Sequence, residues 1–154
     1  MPKVGILGCD VTTRDMDCVM IGCFGNLRGR QGSFEQYPED DPPELVGIIH
    51  CGGCPTAFCS DRIWQKVKAL KEYGIEALHL TSCLVQVCPF TQEFVTTIRK
   101  EYPDLKIVEG THPFHDLQAF KNGIKELTSQ RAVTPQNMND LVFKRIKEIG
   151  RAHV

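Results

Sequence analysis

Leu45-Val46-Gly47-Ile48-Ile49-His50-Cys51-Gly52-Gly53-Cys54-Pro55 is the stretch from which the rest of the chain can be read. A short apolar run stopped by glycines has the pattern of a buried strand. Past the turn, Ser60 can cap a helix whose apolar positions Ile63, Trp64, Val67, Leu70 and Tyr73 keep helical spacing up to Gly74, a natural residue to follow a helix end. Three further runs resemble the first: Val4-Gly5-Ile6-Leu7, Ala77-Leu78-His79-Leu80 and Leu105-Lys106-Ile107-Val108. Helical stripes follow the last two, one through Phe94, Val95, Ile98 and Tyr102 and one through Phe114, Leu117, Phe120, Ile124 and Leu127. Strand runs alternating with amphipathic helices predict βαβ units around a parallel sheet. The expectation is one three-layer α/β domain over residues 1–154, with a four-stranded, mainly parallel sheet of the flavodoxin-like or Rossmann-like kind. Two details complete it: a mobile flap at about 25–44, rich in glycine, proline and charge, and a final helix at about 135–150 opened by Thr134-Pro135.

The 154 residues are 42% hydrophobic and 24% charged, a composition that excludes disorder and collagen. A chain of this size buries roughly 68–70% of its unfolded surface, so it builds a core without covalent staples. Its 8 cysteines therefore need another reason. A formal net charge of −1 leaves no footprint for general nucleic-acid binding. No apolar run approaches the roughly 18 residues a membrane span needs. The opening Met1-Pro2-Lys3-Val4 runs straight into a strand without the features of a secretory signal, so a cytoplasmic location is expected. In a reducing compartment a cysteine-rich pattern reads as metal-binding or catalytic, not as a disulfide frame.

Placement makes the cysteines informative. Cys9 follows the first strand, Cys51 and Cys54 the second, Cys83 and then Cys88 the third, and Gly110-Thr111-His112 the fourth. In an open parallel sheet the carboxyl ends of the strands share one edge, and ligands bind there at the switch in strand order. Separate segments thus deliver soft ligands to one place, with Cys18 and Cys23 in the first crossover able to fold back over it. Thiolates select zinc, copper(I) or iron–sulfur clusters. Cys54-Pro55 and Cys88-Pro89 are similar to the Cys-Pro that closes bacterial ferredoxin ligand runs, a weight towards iron.

Taken together, Cys9, the Cys18 and Cys23 pair, Gly32-Ser33-Phe34, Val46 to Pro55, Thr81-Ser82-Cys83, Cys88-Pro89-Phe90 and Gly110-Thr111-His112 resemble the CGGC-domain family. The resemblance implies metal binding, and carried over position by position it picks out Cys9, Cys18, Cys23, Cys51, Cys54, Cys83, Cys88 and His112. Seven thiolates and one imidazole suffice for two four-ligand sites, or for one site and a redox-active remainder. Zinc and an iron–sulfur cluster suit the set about equally, and a cluster would add electron transfer and a protein redox partner. Cys59 falls outside the pattern and reads as packing. His50 and His79 read as strand residues with satisfied ring nitrogens, and His115 and His153 stand apart from the ligand set.

Other chemistries fail on spacing. No Gly-x-Gly-x-x-Gly follows the first strand and no phosphate loop ends in Gly-Lys-Ser/Thr. A phosphatase loop needs arginine six residues after its cysteine, where Cys9 finds Asp15 and Cys83 finds Pro89. The rival that survives is a thiol–disulfide oxidoreductase using Cys51 and Cys54 as its redox pair, with Cys51 attacking.

Overall fold

The computed structural model describes residues 1–53 and 60–130. Each of the four apolar runs is a strand: β1 (Lys3–Gly8), β2 (Glu44–His50), β3 (Ala77–Leu80) and β4 (Lys106–Glu109). They form one sheet in the order β2-β1-β3-β4, and every pairing is parallel. The chain leaves β1 for β2 through α1 (Asp10–Asp15) and α2 (Ile21–Gly29), then crosses back past β1 to β3 through α3 (Ser60–Glu72). Helices α4 (Ser82–Val87) and α5 (Thr91–Glu101) join β3 to β4. Chain direction across the sheet therefore reverses at β1, and the space beyond the carboxyl ends of β1 and β3 is the switch point.

Both faces of the sheet are covered. On one, Val4, Ile6 and Ala77 pack with Met20, Cys23 and Leu27 from α2 and its N-cap, and with Phe34 and Tyr37. On the other, α3 lies so close that a Cβ on Gly5 or Gly47 would come within 2.8 or 2.9 Å of the Leu70 side chain. Ile63, Val67 and Leu70, spaced one turn apart, are buried, and burial is worth about 1.5–3 kcal/mol for each such side chain. Tyr73, expected on the same stripe, is 74% exposed. The reason is that α3 stops at Glu72 and Gly74, at φ +82, turns the chain away. Phe94, Val95 and Ile98 form the buried side of α5, which touches α3.

Between Val4 and Gly5 the pairing of β1 with β2 slips by one residue: Val4 faces Leu45, Gly5 faces Gly47, and Val46 is left over as a bulge. The segment expected to form a flap begins as the last part of α2 and continues through a 3₁₀ turn (Gly32–Phe34). Its centre is fastened to the sheet: Phe34 is fully buried and stacks on His79 of β3 with ring centroids 4.2 Å apart.

This first compact unit runs from Met1 to His115; a second begins at Asp116. Its described part is α6 (Leu117–Gln130), which starts where the Asp116 carboxylate accepts the Ala119 N–H at 2.8 Å, a side-chain cap. The helix expected at about 135–150 lies outside the described residues, as do Cys54 and Cys59. Among the described residues no helix is long and apolar enough to cross a membrane.

Candidate functional site

Three strands hand their cysteines to the switch point. Cys9 caps the N-terminus of α1 directly after β1, Cys51 follows β2, and Cys83 lies in the first turn of α4 after β3. The ladder continues one residue past the strands on both sides of β1: the Cys51 N–H donates to Gly8 O at 3.1 Å and the Thr81 N–H to Leu7 O at 2.9 Å. Cys9 is thereby flanked: the Thr12 hydroxyl lies 2.9 Å from Cys9 O and 3.4 Å from the Cys83 sulfur, the Asp10 N–H donates to the Cys51 sulfur, and the Cys9 thiol interacts with both other thiols. Cys9 and Cys51 are buried, whereas Cys83 is partly exposed.

Beyond Cys51 the two glycines adopt φ +93 and +90, a conformation that side chains with a Cβ rarely take, which explains Gly52-Gly53 at this turn. Gly53 also lies against Arg14, which is ion-paired with Asp10 and Asp15 and adds positive charge near Cys51.

Contact among the three thiols splits their acidities. Sharing the Cys9 proton lowers Cys51 to about 6; burial opposes this, while the N–H groups of Asp10, 3.4 Å from the sulfur, and Gly53 assist. Cys83 falls to about 5, again chiefly through Cys9 and against burial, helped by the hydroxyls of Thr12 at 3.4 Å and Thr81 at 3.1 Å. Cys9 is pushed well above the ordinary cysteine value because it supplies the proton to Cys51 and Cys83 and is itself buried. The cluster thus favours the thiolate at Cys51 and Cys83 and the thiol at Cys9.

The other expected ligands stand at graded distances. Cys23, in α2, is buried, its thiol raised by that burial, and its sulfur lies 3.3 Å from Thr111 Oγ1. Cys18 is exposed between α1 and α2, close enough for its charge to act on Cys23. Cys88 is the C-cap of α4, at the far end of that helix from Cys83. The His112 ring packs against Gly22 so tightly that a Cβ there would lie 2.4 Å from it and would have to displace the ring. Its backbone is pinned by Ser82, whose Oγ accepts the N–H of His112 at 3.1 Å and that of Thr111 at 3.0 Å.

Two imidazole nitrogens, His112 Nδ1 and His50 Nε2, are buried with no hydrogen-bond partner among the described residues. For His50 this corrects the expectation of a satisfied strand histidine: its ring lies over Gly8 beside the Met20 methyl, an apolar setting. His79 does match that expectation. Its Nε2 accepts from Tyr37 Oη at 2.8 Å, and its Nδ1–H donates to Gly110 O at 3.2 Å.

Thiolates and unpartnered imidazole nitrogens are the donor types that zinc and iron–sulfur clusters take, so the residues at this edge fit such a group in chemistry. Among the described residues, however, no group of three or more His, Cys, Asp or Glu side chains is disposed to hold a metal ion. The Cys51 and Cys83 sulfurs have their hydrogen bonds with the Asp10 N–H and with the hydroxyls of Thr12 and Thr81.

Sequence reasoning passed over the hydroxyls. Thr12, Thr81, Ser82 and Thr111 are all buried polar residues bonded to the cysteines or to the segments bearing them. The signal was available in Thr81-Ser82-Cys83, where two hydroxyl side chains directly precede a thiol at a strand end.

Fold and edge together define a class: a doubly wound, all-parallel α/β module with a thiol cluster at its switch point. Within that class the chain belongs to the CGGC domain family, which it matches over residues 3–112. This is a cysteine-rich family to which metal binding is ascribed. No curated protein and no solved structure matches the chain.

Proposed function

We propose that the protein binds a thiophilic metal, as zinc or as an iron–sulfur cluster, through cysteines gathered at the carboxyl edge of the sheet. Cys9, Cys51 and Cys83 are the core of the ligand set, with Cys54, three residues after Cys51 in the sequence, as the natural fourth. Cys18, Cys23, Cys88 and His112 are the candidates for a second site. The observation that carries this reading is that Cys9 touches both Cys51 and Cys83 although the three are far apart in the chain. Two are already biased to the thiolate form a metal requires, so the proton that binding must release is chiefly that of Cys9. The hydroxyls of Thr12 and Thr81 orient Cys83, and Arg14 helps offset the negative charge of the sulfurs. Zinc would supply a fixed, redox-inert charge, a cluster would supply electron transfer to a protein partner, and a cytoplasmic setting would keep the thiols reduced.

Metal content and the visible spectrum of protein purified without oxygen test the reading. Stoichiometric zinc or iron, falling by more than about half in Cys9→Ser and in Cys51→Ser, is the expected result. Native protein carrying neither metal would overturn it, and colourless protein with one zinc would remove the electron-transfer version. The competing reading, a Cys51/Cys54 oxidoreductase, is favoured by the lowered Cys51 and requires Cys51→Ser to abolish disulfide reduction by metal-free protein.

A further inference from the structure

The geometry points to a redox pair that neither reading assigns: thiol–disulfide exchange in which Cys83 attacks and Cys9, from the neighbouring strand, resolves. The two are delivered by β1 and β3, adjacent and parallel in the sheet, and one hydroxyl, Thr12 Oγ1, lies 2.9 Å from Cys9 O and 3.4 Å from the Cys83 sulfur. No turn of the Cys-x-x-Cys kind is involved.

Roles follow from access and from partners. Of the three clustered thiols, Cys83 is the one that is partly exposed, while Cys9 and Cys51 are each 6% exposed. An incoming disulfide therefore meets Cys83 first. The hydroxyls of Thr81 and Thr12 lie 3.1 and 3.4 Å from its sulfur, placed to stabilise a thiolate there and to fix its direction. Cys9 is shielded from solvent and touches Cys83, the arrangement wanted of a thiol that should react with a mixed disulfide and not with the bulk.

The Cys83 sulfur attacks one sulfur of a small external disulfide, the external S–S bond breaks, and one small thiol leaves. The Cys9 sulfur then attacks the Cys83 sulfur, the mixed S–S bond breaks, and the second small thiol leaves. The chain loses two electrons and two protons, the external disulfide is reduced to two thiols carrying them, and the new bond joins Cys9 to Cys83. The substrate class is a low-molecular-weight disulfide, with oxidised glutathione as the probe. Exchange proceeds when these sulfurs are not coordinated, so it does not rest on the metal reading.

The test treats the full chain with oxidised glutathione in the presence of a chelator, after its metal content has been measured, then traps free thiols and maps disulfides by mass spectrometry. Fragmentation distinguishes Cys83 from Cys88. A Cys9–Cys83 disulfide as the principal product is expected, with about two equivalents of glutathione released per pair formed. In Cys9→Ser the glutathione should stay on Cys83 and release there should halve. Overturning results are an unmodified Cys83, a mixed disulfide on Cys83 that persists in the native chain, or a principal product joining Cys51 to Cys54 or Cys9 to Cys51. If Cys9→Ser does not fold, the native map alone decides. A chain that never carries metal yet forms the Cys9–Cys83 bond defeats only the metal reading; one that carries metal but forms no such bond after chelation defeats only this one.

Discussion

Strand β3 feeds two buried polar clusters of opposite character. His79, in the strand, is closed on every side: Phe34 stacks on its ring, Tyr37 donates to one nitrogen and Gly110 accepts from the other. Cys83, four residues later, belongs to a cluster whose members have mainly one another. In the first case protein groups of different kinds saturate each other, so the proton has one place to be. In the second, three like groups divide protons that none can hold without lowering its neighbours. Saturation gives stability, and shared protons give reactivity.

Breaking the saturated cluster should cost the most. Phe34→Ala removes a fully buried ring between α2 and the sheet and is expected to destabilise the fold by about 3–5 kcal/mol in denaturant titration, leaving the reactivity of Cys83 with a thiol probe unchanged.

Acid attacks the same place. Burial lowers His79 to about 4 from its ordinary 6.5, with the Lys106 charge adding to it and the Gly110 carbonyl opposing. Between those values the unfolded chain binds the proton that the folded one refuses. The stabilisation is therefore full above pH 6.5 and lost as pH falls to 4, about 3 kcal/mol in all. Unfolding measured across that range should show the loss in the native chain, and His79→Gln should flatten it.

Tyr37→Phe leaves His79 Nε2 buried without its donor, at an expected cost of about 1–3 kcal/mol by the same titration. The smallest change sharpens the other side of the comparison. Thr81→Val removes the hydroxyl 3.1 Å from Cys83 and should cost only about 0.5–1.5 kcal/mol. Its effect should show instead in chemistry, as slower alkylation of Cys83 at pH 6, because the hydroxyl is one of the groups that lower this thiol. Equal alkylation rates would mean that the hydroxyl does not tune the sulfur.

The sheet was legible because its strands announce themselves twice, as apolar runs and by the cysteine or histidine that follows each. Cys9, Cys51 and Cys83 could be placed on one edge from that alone. What sequence does not carry is side-chain neighbourhood within the edge. That Cys23 finds Thr111 and that His112 lies on Gly22 depend on how α2 seats on the sheet, and that His50 lies over Gly8 depends on the register of β2 on β1, none of which a spacing rule states. Tyr73 shows the matching limit for helices: periodicity continues on paper after the backbone has turned away.

The slip at Val46 sets the timing of the whole edge. Gly8 meets His50, and Cys51 arrives beside Cys9, only because β2 takes one more step than β1 in reaching the rim. Remove that step and the histidine would occupy the berth next to Cys9, with the thiol carried past it. An irregularity about 13 Å upstream, at roughly 3.3 Å per residue, thus selects which element, nitrogen or sulfur, the first strand is offered.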